Sequence, residues 1–291
     1  MAAETSRARR RGGVNPGLVS MLPVGTLLLL GFAVPILVVA LYSFMPPRTF
    51  ALSGQPTFAN YRVVFTEGYA IPLAWSLAGA LATTAICLVL SWPTAKALTR
   101  YAGRFATIAT ILIALPIFIS ESVRLFGAAL FMMPGGGIFA GSMKALVGWS
   151  PGSVLYSKTA TLIGLVYIHF PFMLFPTVLG LSLVPQDQID AARDLGASGW
   201  QVFREVELPL ALPGVLVGAL LTFVLSLGAN AEAGILGGQT VTVVARAIEQ
   251  RFNYAQDWPL GAALTMLVIF VTAVVVLPVV SRLDLDRLIR R

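Results

Sequence analysis

Long apolar stretches recur along this chain, separated by short polar segments. A helix needs roughly 20 mostly apolar residues to cross about 30 Å of hydrocarbon, and six stretches are long enough: 19–44, 71–95, 105–133, 159–184, 213–236 and 258–280. Each is predicted to be helical because lipid leaves the backbone no other hydrogen-bond partners. Pro116 and Pro171 predict kinks in the third and fourth stretches.

The composition agrees with this pattern and excludes an ordinary soluble globular protein. Hydrophobic residues make up 57% of the chain and charged residues 11%, which is typical of a polytopic membrane protein. The first apolar stretch follows a basic segment but is too long for a cleaved signal peptide, and Pro46 and Pro47 stand where small residues would be needed for cleavage. We therefore expect a retained helix, and an all-α protein of six transmembrane helices.

The positions of Lys and Arg predict the orientation in the membrane. With a cytoplasmic N-terminus, the inside segments hold thirteen of the 20 basic residues and the outside loops hold six. By the positive-inside rule, both the basic tail 1–18 and the tail 282–291 are expected to be cytoplasmic. The net charge of +7 then reflects topology and contact with anionic membrane lipids, so no nucleic-acid partner is predicted.

This topology also places the polar segment 185–212 in the cytoplasm. We expect Asp187 to cap a first helix, which Gly196 ends in the left-handed conformation. Ser198 and Gln201 have the spacing of a capping box that begins a second helix. Trp200, Phe203 and Val206 recur on one face of that helix, and Pro209 leads into the next span.

An amphipathic helix in such a segment could simply lie on the lipid surface. That alternative requires a basic polar face, whereas the segment carries five acidic residues against two basic ones: Asp187, Asp190, Asp194, Glu205 and Glu207 against Arg193 and Arg204. Anionic headgroups would repel it. The small residues Ala191, Ala192 and Gly196 instead favour close approach of another protein.

The string 190–197, followed by Leu208 and Pro209, resembles the "EAA" cytoplasmic loop of ATP-binding-cassette importer permeases, with Asp190 in place of the more common Glu. The resemblance implies that this loop couples the chain to an ATPase. The residues that it assigns to coupling are Asp190, Ala191, Ala192, Asp194, Gly196, Ala197, Phe203, Leu208 and Pro209.

From residue 60 to 280 the chain resembles the spermidine/putrescine-type permeases, particularly their B-type subunit. Several short motifs carry this likeness in order: Asn60-Tyr61, 164–167 with 171–173, 190–198, Pro213-Gly214, 236–238 and 257–263. The family implies a type I importer permease fold, with the first helix and its outer loop in 19–70, a permease domain in 71–281 and the coupling loop in 185–212.

The same resemblance implies partners and a location. The expected partners are a second, homologous C-type permease, an ATP-binding-cassette ATPase dimer and an extracytoplasmic solute-binding protein, in the plasma (inner) membrane. The chain has no G-x-x-x-x-G-K-[ST] loop, so ATP and Mg are expected to be used by the ATPase partner. The chain itself is predicted to bind no cofactor or metal and to be no enzyme.

Two departures from the family concern acidic residues. Ala229 stands where the family commonly has an acid after Ser-Leu-Gly, and Glu232 follows three residues later. Glu121 precedes Arg124 where the family has an uncharged residue. A charge at the bilayer centre costs roughly 2.5–3.5 kcal/mol, so these side chains are expected to face a polar cavity or each other. Glu121 and Arg124 can form an ion pair at i, i+3 or contact substrate, and both readings stay open.

We name as candidate substrate-pathway residues Glu121, Arg124, Tyr167, Glu232, Asp257 and Trp258. For several aromatic and polar residues a packing role is the stronger reading. His169 is expected to be a hydrogen-bonded structural histidine, Asp257 a helix N-cap beside an interfacial Trp258, and Cys87, the only cysteine, a packing residue.

The leading interpretation is a permease that imports a polyamine or another amine-bearing solute. Within the same class, an opine, phosphonate, thiamine or iron substrate stays open. An ion-coupled secondary transporter should show internal repeats, and we see none. A membrane enzyme needs convergent acid, base or metal-binding groups, and one histidine with scattered acids does not supply them.

Overall fold

The computed structural model describes residues 16–51, 54–101, 103–133, 137–148, 154–238 and 240–281, and within these ranges all regular structure is helical. This confirms the all-α prediction. Residues 1–15 of the predicted basic tail, the tail 282–291 and most of the Pro134–Gly137 run lie outside the described residues.

Among the described residues, five helices are long and apolar enough to cross a membrane. They are Pro23–Ser43, Ala70–Tyr101, Lys158–Ser182, Gly199–Leu227 and Trp258–Val280, called here spans one, two, four, five and six. The stretch predicted as the third span, called span three here, is a bent pair of helices, Phe105–Phe118 and Glu121–Met132. Shorter helices cover Ala59–Thr66, Ile138–Val147, Gln186–Asp194, Ala231–Ile235 and Val244–Asn253.

Span three differs from the single kinked helix that the sequence predicts. Its two parts meet at an angle of 102°. The turn that contains Pro116 tightens into a 3-10 helix over Leu115–Phe118, and Ile119 and Ser120 then adopt extended backbone angles. Pro116 lacks an N–H donor and weakens the helix at this place. Glu121 consequently begins a new helix instead of lying in the middle of one. Span four, by contrast, runs unbroken through Pro171 and Pro176.

Span five also differs from the prediction, which placed it at 213–236. The helix begins at Gly199, inside the 185–212 segment, and ends at Leu227. The helix continues through Pro209, and a π-helical stretch, Val202–Glu207, directly precedes that residue. Because the wider π turn shifts the hydrogen-bond pattern, it accommodates a residue without an N–H donor. Glu232 therefore lies beyond the span, in the short helix Ala231–Ile235.

Spans two, four and five form the core. Spans four and five approach so closely that a Cβ on Gly214 would lie 2.4 Å from the carbonyl oxygen of Pro176, and one on Gly218 would lie 2.9 Å from that of Met173. Only glycine permits this spacing. Cys87 of span two packs with Met173 and Val215 in the same core.

Span one joins the rest at the end near Ser43. Its second half, Val34–Ser43, packs on span six. The buried side-chain amide of Asn60 donates to the carbonyl oxygens of Ser43 (3.0 Å) and Met45 (2.8 Å). These bonds satisfy carbonyls at a helix end, which have no partner inside the helix.

Candidate functional sites

The 185–212 segment begins with a helix over Gln186–Asp194. Pro185 occupies the N-cap position and no side chain caps the helix, so the prediction that Asp187 is the cap is wrong. The helix begins two residues earlier than expected, and Asp187 lies in its first turn, where the helix dipole still favours an acid.

The turn after this helix is as predicted. Gly196 has a φ of +85°, in the left-handed region. Its N–H bonds to the carbonyl of Arg193 at 2.8 Å, and the N–H of Ala197 bonds to that of Ala192 at 3.0 Å. This is the Schellman arrangement that favours glycine at the turn.

The second helix begins with the predicted capping box. The hydroxyl of Ser198 accepts from the N–H of Gln201, and the Gln201 side chain accepts from the N–H of Ser198 at 2.7 Å. Both ends of the turn between the helices are thus fixed by local hydrogen bonds.

One face of the segment packs against the ends of spans two and four. Ile189 and Val202 are buried there with Ala95, and Ala192 and Ala197 are partly buried against the same cluster. The ring of Phe203 meets that of Trp92 edge-on, with centroids 5.0 Å apart. Four members of the predicted coupling set are therefore partly buried: Ala192, Ala197, Phe203 and Leu208.

The opposite face is open. Asp190, Ala191, Asp194, Gly196 and Pro209 are exposed. Two large apolar residues project from this face, Leu195 at 90% and Trp200 at 67% exposure. Neither residue belongs to the coupling set predicted from the sequence. The exposure of Leu195 could have been predicted from the sequence. This residue directly follows the end of a polar helix and precedes the Gly196 turn, where an apolar side chain has no core to enter.

The charged residues of the membrane region gather around Glu232. This carboxylate is 1% exposed, and neither of its oxygens has a hydrogen-bond partner. Nδ1 of His169 lies 3.8 Å from Oε1 of Glu232 and 2.9 Å from the carbonyl oxygen of Leu165. Glu121 and Arg124 are within electrostatic reach of both Glu232 and His169.

The predicted alternative of an ion pair between Glu121 and Arg124 is not formed among the described residues. Glu121 is exposed at the first position of its helix, where the helix dipole stabilises a negative charge. Arg124 is half-buried, and its Nε atom has no hydrogen-bond partner.

The other pathway candidates lie apart from this cluster or have structural contacts. Tyr167 is exposed on span four. Asp257 is buried and caps span six, accepting from the N–H of Leu260 at 3.4 Å, and it also accepts from the N–H of Arg48 at 3.2 Å. The structure thus agrees with the N-cap reading of Asp257. The ring of Trp258 is surrounded by those of Tyr42, Phe50 and Phe252.

A cavity of about 310 Å3, which no sequence pattern predicted, lies between spans two, four and five. The hydroxyl of Ser226 lines it and is buried without a hydrogen-bond partner. At its edge, Nζ of Lys158 lies 3.5 Å from the centre of the Trp75 ring, a cation–π contact.

Comparison with protein families gives a match over nearly the whole chain. Residues 22–290 match the family described as "Binding-protein-dependent transport system inner membrane component". The chain is 30% identical over 210 residues to the spermidine/putrescine transport system permease protein PotB of Haemophilus influenzae, covering 72% of this chain and 73% of that protein. It is 30% identical over 221 residues to PotB of Escherichia coli, covering 76% and 80%.

Solved structures resemble the fold at lower sequence identity. A chain of a bacterial ABC transporter involved in the import of the acidic polysaccharide alginate superposes with a TM-score of 0.70 at 17% identity, covering 90% of this chain and 93% of that chain. A second structure of a bacterial alginate transporter, in complex with a periplasmic protein that carries an alginate pentasaccharide, gives the same TM-score. At this identity the likeness concerns the fold alone.

Proposed function

The chain belongs to the family of binding-protein-dependent transport inner membrane components and is an ABC importer permease, and we propose that it is one of two different permeases that together import an amine-bearing organic cation. Polyamines are the leading substrate class. The relatives named for spermidine and putrescine transport, and the buried carboxylate of Glu232, support this choice.

The charges near Glu232 favour a cation over an anion. The carboxylates of Glu121 and Glu232 and the guanidinium of Arg124 interact electrostatically here, and His169 lies 3.8 Å from Glu232. Burial without a partner disfavours the ionised form of Glu232, and a nearby cation favours that form; with both carboxylates ionised and His169 neutral, the cluster would carry a net negative charge. An ammonium group that passes nearby is attracted, and the attraction grows as water is excluded. The free lone pairs of Glu232 are the single observation on which the cation assignment depends.

The exposed face of the 185–212 segment supports its role as the coupling loop. Leu195 and Trp200 project from it as large apolar side chains, and apolar anchors among small residues are typical of protein contacts. The acids at 190 and 194 disfavour an anionic lipid surface. We propose that this face docks on an ATPase subunit, which binds and hydrolyses ATP with Mg.

The remaining assignments follow from the importer class. Both termini are proposed to be cytoplasmic, with a second, homologous permease beside this chain and a solute-binding protein on the outer side. The small residues Gly214 and Gly218 face span four of this chain and do not serve that contact. Other lipid-facing surfaces are left for that contact.

The substrate assignment is tested with the complete importer in proteoliposomes, supplied with its solute-binding protein and labelled spermidine or putrescine. We expect Glu232→Gln to lower uptake several-fold while complex assembly is retained. Ser226→Ala is the matched control, since it also alters a buried unpartnered polar group but removes no charge. Wild-type uptake in Glu232→Gln would remove this carboxylate from the pathway. Failure of the binding protein to bind any amine would refute the substrate class.

A further inference from the structure

Both ends of the coupling loop are held by side chains from one end of span two. At the end of the loop, Nζ of Lys96 lies 2.7 Å from Oε2 of Glu207. At its beginning, the guanidinium of Arg100 donates to the carbonyl oxygen of Val184 at 3.0 Å and to the side-chain oxygen of Gln186. The two basic residues are four positions apart.

A third contact lies one turn earlier on span two. Trp92 stacks edge-on against Phe203 in the middle of the loop. Positions 92, 96 and 100 share a helix face because they are separated by four residues. One stripe of span two therefore touches the beginning, the middle and the end of the coupling loop.

The ion pair is more than a surface contact. The side chain of Glu207 is 2% exposed and that of Lys96 is 27% exposed. Exposed pairs contribute little, but removal of one partner from a buried pair leaves an uncompensated charge and is strongly unfavourable. Lys96 is the partner that the structure provides for Glu207, 111 residues away in sequence.

Spans four and five are joined to the loop by the chain itself, whereas span two is connected to it only by side-chain contacts. Apolar packing of Ala95 and Leu98 against the loop accompanies the polar contacts. If the loop moves, spans four and five must follow, but span two follows only while these contacts hold.

We infer that Lys96, Glu207 and Arg100 are positioning residues that make span two move with the coupling loop as one body. The inference depends on the proposed docking of this loop on the ATPase. Movement of the docked loop would then be transmitted to three spans at once: to spans four and five through the chain itself, and to span two through side-chain contacts.

The test measures solute imported per ATP hydrolysed in the reconstituted importer. We expect Lys96→Met to lower this ratio at least fivefold and to remove the stimulation of hydrolysis by the loaded binding protein. The exchanged pair Lys96→Glu with Glu207→Lys should restore at least half of both values. Arg104→Met is the matched control, because it removes an exposed basic residue from the turn directly after span two, and it should retain both values.

A covalent version of the contact provides a readout that does not require a destabilised variant. Cysteines at positions 100 and 186 are joined by a flexible thiol crosslinker about as long as the arginine side chain. Transport that persists after crosslinking supports movement as one body. Transport that stops on crosslinking and returns when the crosslink is cleaved would overturn the inference. A wild-type import ratio in Lys96→Met would also overturn it. So would a doubly exchanged variant that assembles but does not recover its import ratio.

The inference and the docking proposal fail differently. Gly196→Pro opposes the positive φ of the turn and should abolish stimulation of the ATPase. Normal stimulation in Gly196→Pro refutes docking through this loop. Loss of stimulation in Gly196→Pro together with a wild-type ratio in Lys96→Met refutes only the role of span two.

Discussion

Replacement of Gly214 by alanine tests the contact between spans four and five. The new Cβ would lie 2.4 Å from the carbonyl oxygen of Pro176 and 2.7 Å from Cα of Gly180. Both atoms belong to the backbone and cannot rotate away. Ordinary contact begins near 3.4 Å, so the two helices must separate by roughly 1 Å.

The energetic consequence combines two opposing effects. Overpacking of a tight interior costs about 1–3 kcal/mol, and separation of the helices also loosens the contact between Gly218 and Met173. Alanine gains up to about 1 kcal/mol over glycine in helix propensity. We expect net destabilisation of about 1–2 kcal/mol, which corresponds to a melting temperature lower by roughly 2–8 °C.

The chain contains a reporter for this measurement. Cys87 is its only cysteine, is fully buried and packs in the same core, so a thiol-reactive fluorophore should label it as the core opens on heating in detergent. Gly25→Ala serves as the control, because a Cβ at this helical position meets nothing within 4 Å. It should not lower the melting temperature. A Gly214→Ala protein that melts at or above the wild-type temperature would refute the close approach of spans four and five.

Two further substitutions test separate parts of the structure by the same melting assay. Asn60→Leu removes the amide that binds the carbonyls of Ser43 and Met45, and we expect a loss of about 1–3 kcal/mol because buried acceptors are left unpaired; an unchanged melting temperature would contradict this. Glu121→Gln should cost less than about 1 kcal/mol, since it loses only a favourable helix-dipole contact; a larger loss would indicate an ion pair with Arg124 after all.

Features encoded by neighbouring residues could be predicted from the sequence. The left-handed turn at Gly196, the capping box of Ser198 and Gln201, and the cap at Asp257 each depend on residues no more than five positions apart. Local hydrogen bonds and backbone conformation determine them. The presence of several long apolar helices was equally accessible, because membrane thickness sets their length.

Features that depend on how the helices end were predicted less well. Pro116 indicated a kink, but the 102° bend depends on two extended residues after it, whose conformation no local pattern determines. Pro209 suggested a helix boundary, yet the helix continues through it, directly after a π-helical stretch. A proline signals a missing hydrogen bond and does not say whether the helix bends, breaks or widens.

Contacts between distant segments were out of reach of the sequence. Lys96 and Glu207 each looked like an ordinary charge at a membrane boundary, and only the packing of spans two and five brings them together. The position of Glu232 beside His169 likewise requires the short helix Ala231–Ile235 to fold back against spans three and four. Pairing of this kind depends on tertiary geometry, which one sequence without relatives does not reveal.

The uneven attachment of span one affects how the chain meets its bilayer. The half from Val34 to Ser43 is fixed to span six, whereas none of the most apolar window of Pro23–Ser43 is buried inside the chain. A π-helical stretch, Leu29–Ala33, separates the two halves. A change in hydrocarbon thickness can therefore be met by tilting of the unattached half, at fractions of a kcal/mol per Å. Span one can absorb hydrophobic mismatch while the packed core of spans two, four and five keeps its geometry.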